Sequence, residues 1–188
     1  MAAILEIPEV RQRLSRLSVE EYHRLSEFNE QGRRTELIRG LVMEKMSKSP
    51  LHRTIASLLY DLLLPQLPPG FSIWKEEALT LADSEPEPDI SITRGNRRDF
   101  ATAHPSTADL VVEVAVSSAA LDRENAALYA EAGVKEYWIV LGSKRRIEVY
   151  RKPENGHYQE QRVVGVGEVL ECSSLPGIRL QVSDLFAL

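Results

Sequence analysis

Pro88-Asp89-Ile90-Ser91-Ile92 and Leu110-Val111-Val112-Glu113-Val114-Ala115-Val116 each carry one acid inside a short apolar run. Length and β-branched content mark both runs as strands. A strand buried on both faces has little use for a carboxylate, because an unpaired charge is costly to remove from water. A core acid therefore needs a metal, a cationic partner or a raised pKa. Two acids on neighbouring strands can share one divalent cation through hard oxygen ligands, the kind Mg²⁺ prefers. The local pattern also fits acids that end their strands at the surface. Glu113 suits that reading less well, since Val111, Val112, Val114 and Val116 surround it.

Outward from these strands, the chain alternates helical and extended patterns. Ser18 and Glu21 stand at capping-box spacing and open a short helix. Thr35 to Met46 alternates around Arg39-Gly40 and predicts a hairpin. Ser49-Pro50 starts a helix with Ile55, Leu58, Leu59, Leu62 and Leu63 at helical spacing, stopped by Pro65. Strands are expected over Phe71–Leu81 and Asp89–Thr93, separated by the acidic turn Asp83–Pro88. After the Glu113 strand comes a helix from about Ser118 to Ala132, with Gly133 at its C-cap. Tyr137–Leu141, Arg146–Arg151, His157–Val164 and Val169–Val182 extend the β structure. The order predicts an α/β (α+β) domain, a mixed β-sheet flanked by helices.

Bulk properties narrow the class. At 188 residues the chain is most simply an N-terminal extension (1–16) and a single domain (17–188). A net charge of −5 argues against nonspecific coating of nucleic acid, but leaves room for a local basic footprint. One cysteine, Cys172, excludes an internal disulfide, reads as a small buried hydrophobe and fits a reducing cytoplasm. No apolar segment follows Arg11, Arg13 and Arg16, so no secretion signal is expected, and no run is long enough to cross a membrane.

Five blocks in order carry a resemblance to a known family. They are Arg34–Gly40, Ser49-Pro50-Leu51-His52, Glu85–Ile92, Leu110–Val114 and Tyr129–Val140. From about Leu17 to Leu188 the chain resembles the bacterial putative restriction endonuclease family, formerly a domain of unknown function, with a PD-(D/E)XK nuclease core. The resemblance implies a restriction-endonuclease-like fold with an N-terminal helix and hairpin and extra C-terminal strands. It implies DNA as substrate, Mg²⁺ (or Mn²⁺) as cofactor, Asp89 and Glu113 as metal ligands, and Glu36 and His52 nearby. The core pattern has a lysine two residues after the Glu, and here that position is Ala115. The family moves this lysine to the next helix, four residues before a tyrosine, and here that position is Asn125. The family's acid three residues after the Glu is replaced by Val116.

Two functions follow as expectations: a metal-dependent endodeoxyribonuclease weakened at Asn125, or an inactive relative that binds nucleic acid or protein. If Asn125 faces the carboxylates, with Leu121, Leu128 and Ala132 as the buried stripe, Asn125→Lys is expected to restore cleavage. Arg94-Gly95-Asn96-Arg97-Arg98 and Lys144-Arg145-Arg146 are candidate phosphate contacts that also read as solvated loops. Trp74 and Trp138 read as core. A homodimer is expected, since cutting both strands takes two active sites, with the apolar strands around Leu170–Leu188 as its contact.

Overall fold

The computed structural model describes residues 6–26, 32–117 and 119–187. It divides into two units, residues 1–45 with 82–85, and residues 46–81 with 86–188.

The smaller unit contains helices α1 (Pro8–Arg11) and α2 (Val19–Ser26) and the hairpin β1 (Thr35–Ile38) and β2 (Leu41–Glu44). The expected capping box forms: Ser18 N–H donates to Glu21 Oε2 at 2.8 Å, and Glu21 N–H to Ser18 Oγ at 3.2 Å. The hairpin turns at Arg39 (φ 52°) and Gly40 (φ 74°), the paired positive φ values of a tight two-residue turn. A Cβ on Gly40 would lie 2.6 Å from Arg16 Cβ, so only glycine fits.

The larger unit begins where Ser49 and Pro50 start α3 (Pro50–Leu63). Ser49 Oγ accepts from His52 N–H, and Pro50 occupies the first helical position, where its missing N–H costs nothing. A six-stranded sheet follows, in the order β3 (Phe71–Lys75), β4 (Ile90–Arg94), β5 (Leu110–Ala115), β6 (Glu136–Leu141), β7 (Arg146–Glu154) and β8 (His157–Gly165). All neighbours are antiparallel except β5 and β6, which run parallel and are joined through α4 (Ala120–Glu131). A separate pair, β9 (Val169–Glu171) and β10 (Arg179–Gln181), leads into α5 (Val182–Leu185).

Alternation along the strands gives the sheet two different faces. Ile90, Ile92, Leu110, Val112, Val114, Trp138, Val140, Ile147 and Val149 form one apolar core with Ile55, Leu59 and Leu63 of α3. The opposite face carries Glu113, Tyr137, Glu148 and Tyr150, and α4 covers it. There Tyr129, Tyr137, Tyr150 and Tyr158 pack against one another in tilted or stacked pairs, with centroids 4.9 to 6.4 Å apart. Their hydroxyls donate to Glu113, Asp122 O, Glu148 and Val134 O. Helix α4 ends as Gly133 predicts: Gly133 N–H reaches Ala130 O at 3.1 Å and Val134 N–H reaches Tyr129 O at 3.0 Å, with Gly133 at φ 72°.

Three expectations shift. The strand expected over Phe71–Leu81 stops at Lys75, because Glu76 adopts a left-handed conformation (φ 56°) that leaves the ladder. The β structure expected over Val169–Val182 breaks into β9 and β10. Leu170, Leu175, Ile178, Leu180, Val182, Leu185 and Phe186 fill the core rather than presenting an apolar surface to a second copy. Trp138 is fully buried, whereas Trp74 is only partly so.

One buried carboxylate ties the C-terminal strands to the sheet. Glu136, fully buried, accepts from Arg151 Nε and Nη2 at 2.9 and 2.8 Å and from Trp138 Nε1 at 2.8 Å. Its other oxygen takes Ser173 N–H and Oγ–H at 2.7 and 2.6 Å. Glu136→Ala would strand the Arg151 charge and is expected to cost about 3–5 kcal/mol, read as a shift in the urea midpoint. A loss under about 1 kcal/mol would contradict this anchoring role.

Arg123 of α4 grips Glu148 of β7 through Nε at 2.9 Å and Nη2 at 2.7 Å. These bonds hold the Glu148 pKa below its usual value against the opposing effect of burial. Stability from a depressed carboxylate is complete above its unfolded pKa, about 4.3, and is lost as pH falls through the folded value. The stability gap between wild type and Glu148→Gln should therefore narrow as pH is lowered from 6 to 3 in urea titrations. A gap constant across that range would contradict the assignment.

Candidate active site

Asp89 stands one residue before β4, opposite Glu113 and one step beyond the Ile90–Val112 pair. Its side chain is 4% exposed, and its partners come from three elements. His52, in the first turn of α3, brings Nε2 to within 2.9 Å of Oδ1. Lys48, just before the Ser49 cap, brings Nζ to 2.5 Å of the same oxygen. Val114 N–H donates to Oδ2 at 2.8 Å. Burial pushes the Asp89 pKa up, but the His52 hydrogen bond and the Lys48 charge outweigh it and leave the pKa lowered.

Glu113 meets the same cluster from β5. Its Oε2 accepts from Asp89 N–H at 3.2 Å, and its Oε1 from Tyr129 Oη–H at 3.0 Å. Glu76 completes it: its N–H donates to Asp89 O at 3.2 Å, while its Oε1 lies 3.3 Å from Lys48 Nζ. The left-handed backbone of Glu76 is a strained conformation for a residue with a side chain, of the kind that collects at functional sites. One ammonium thus bridges Asp89 and Glu76.

The structure brings Asp89, Glu113 and His52 together. Asn125 is buried on α4, four residues before Tyr129, so the two share the helix face turned to the sheet. The buried stripe differs from the expected one. It consists of Asn125, Leu128, Tyr129 and Ala130, whereas Leu121 is exposed and Ala132 only partly buried. The helix turns its tyrosine inward because Glu113 and the other tyrosine rings receive it there. Glu36 lies on β1 in the smaller unit, where its carboxylate is 3.6 Å from Lys45 Nζ.

Sequence reasoning passed over Lys48 and Glu76. Lys48 had a signal, being a cation four residues before His52 and immediately ahead of the Ser49–His52 block. Glu76 had none, because its role follows from a backbone turn inside an apparent strand. Cys172 is buried, and burial raises its pKa to about 12, which leaves an inert thiol. Among the described residues, no three His, Cys, Asp or Glu side chains gather as a metal-binding group. No helix among them is long and apolar enough to cross a membrane.

The sheet order, the two helices and the acid pair at the start of β4 and on β5 define a restriction-endonuclease-like fold of the PD-(D/E)XK type. The chain belongs to the Uma2 family, described as "Putative restriction endonuclease", which matches residues 19–183. It is similar to a crystal structure described as a putative nuclease belonging to DUF820 from Anabaena variabilis ATCC 29413. That match has a TM-score of 0.74 and 21% identity, and covers 91% of this chain and 98% of the other. At that identity the likeness speaks for the fold alone. No curated protein matches.

Tyr129→Phe removes a fully buried donor from a charged acceptor. The expected cost is roughly 1.5–3 kcal/mol in chemical unfolding. An unchanged midpoint would mean that Glu113 does not depend on the helix.

Proposed function

We propose that this chain is a nucleic-acid-binding member of the nuclease family in which phosphodiester hydrolysis is absent or strongly attenuated. The observation that carries the reading is the commitment of Asp89 Oδ1 to Lys48 at 2.5 Å and His52 at 2.9 Å. Asp89 Oδ2 is also engaged, by Val114 N–H. A hard dication needs those oxygen lone pairs at about 2.1 Å. The residues as arranged do not fit a resident Mg²⁺ or Mn²⁺ at Asp89, since the ion would have to displace a covalently tethered ammonium. Ala115 and Asn125 add no charge where the family places its lysine. Loss of one preorganised charge of this kind typically costs on the order of 10²–10³ in rate.

Nucleic acid is favoured as partner by the basic loop after β4. Arg94 lies over the Phe71 ring at 4.6 Å and Arg97 over Trp74 at 5.6 Å, with Arg97 Nη2 also 3.3 Å from Tyr60 Oη. Aromatic faces hold these guanidinium groups in place while their outer edges stay open to phosphate. The footprint is local in a chain of net charge −5, so affinity should fall steeply with salt.

The test compares wild type with Asp89→Ala on plasmid and single-stranded substrates in Mg²⁺ and in Mn²⁺. The two proteins should be indistinguishable in cleavage, and both should retain oligonucleotide binding. Arg97→Ala should weaken binding and reduce the salt slope by about 1. Metal-dependent cleavage by wild type that disappears in Asp89→Ala would overturn the reading.

A further inference from the structure

We propose that Lys48 is a tethered cation holding the place of a divalent metal ion between Asp89 and Glu76. This rests on the non-cleaving reading above and names what keeps the centre in that state. Three observations support it. The Lys48 ammonium contacts both acids, at 2.5 Å to Asp89 and 3.3 Å to Glu76, as an ion shared between two carboxylates would. The ammonium is delivered from within, with a side chain only 17% exposed, on a segment fixed by the Ser49 cap of α3. The acids it bridges are themselves held: Glu76 N–H donates to Asp89 O, and Asp89 N–H to Glu113 Oε2. Taking away the ammonium leaves Asp89 and Glu76 facing one point, with Glu113 bonded to the Asp89 backbone beside them. The two carboxylates form an oxygen-rich, dianionic pair, whose hard donors suit a hard dication.

The chemistry of competition follows directly. An intramolecular ammonium acts at a high effective concentration and need not be recruited from solution, so it excludes a weakly held ion. Its geometry is looser than a metal's, because a point charge with rotating donors satisfies two carboxylates without fixing their angles. The same cation also compensates the charge of the buried Asp89.

The experiment is a titration of Mn²⁺, followed by calorimetry and by loss of the free-ion paramagnetic resonance signal. It uses wild type, Lys48→Met and Lys48→Met/Asp89→Asn. Lys48→Met should bind Mn²⁺ at least about 10-fold more tightly than wild type, and the double variant should return to weak binding. Thermal unfolding gives a second readout. At Mn²⁺ one hundred times its dissociation constant, the Lys48→Met midpoint should rise by roughly 5 °C or more, while wild type at the same Mn²⁺ concentration moves far less. Should Lys48→Met fail to fold, Lys48→Gln keeps a neutral donor at Asp89 and carries the same comparison. Mn²⁺ affinity equal in wild type and the position-48 variants would overturn the assignment of Lys48. With cleavage still absent, that result leaves the parent reading standing. Cleavage by wild type in Mg²⁺ would instead remove the parent reading.

Discussion

A carboxylate at Asp89, almost wholly removed from water, must be compensated, and the architecture of the larger unit around it reflects that demand. Burying one unpaired charge costs several times what a surface ion pair returns. The compensation is assembled from three places: an imidazole from the first turn of α3, an ammonium from the segment ahead of it, and a backbone N–H from β5. Each is fixed by something local. The Ser49-Pro50 cap sets the helix start and thus the positions of Lys48 and His52 on either side of it. The antiparallel register of β4 on β5 sets Asp89 opposite Glu113 and brings Val114 N–H to its second oxygen. A shift of one residue in that register would put the two acids on opposite faces of the sheet.

The sheet separates two kinds of stability. The face under α3 is aliphatic, with Ile, Leu and Val from all six strands and Trp138, and its stabilisation is burial of apolar area. The face under α4 is built from tyrosine rings whose hydroxyls all find acceptors, and from carboxylates that are all paired. Burial pushes the Tyr137 hydroxyl well above its usual pKa and that of Tyr150 up to about 12, so these phenols stay neutral donors at any physiological pH. The polar face thus has a fixed hydrogen-bonding pattern, and it is the face that carries Glu113. The candidate site draws Glu113 from this polar layer, while the apolar layer packs the strands against α3.

Much of the fold was legible because its signals are local. The Ser18/Glu21 box, the Arg39-Gly40 turn, the Ser49-Pro50 helix start and Gly133 each constrain only a few neighbouring residues. The strands bearing Asp89 and Glu113 announced themselves by acids in apolar runs. What stayed hidden depended on backbone turns or long reach. The end of β3 at Lys75 is set by the left-handed Glu76, which no alternation pattern reveals. The C-terminal apolar run reads as continuous strand, yet a buried Glu136 grips its Cys172–Ser174 segment and folds the run back into the core. Lys48 is instructive in another way. The absence of lysine at Ala115 and Asn125 was plain in the chain, whereas the cation that reaches Asp89 comes from forty-one residues upstream. Spacing along one strand or one helix carries no information about such a partner.

The account turns on whether a cation of the protein's own occupies the carboxylate centre. A crystal structure of the wild-type protein soaked in millimolar Mn²⁺, with anomalous scattering recorded at the manganese edge, examines this directly. The account predicts Lys48 Nζ still in contact with Asp89 Oδ1 and no anomalous peak within bonding distance of that carboxylate. A manganese ion bound by Asp89 together with Glu113 or Glu76, with Lys48 swung away, would contradict it.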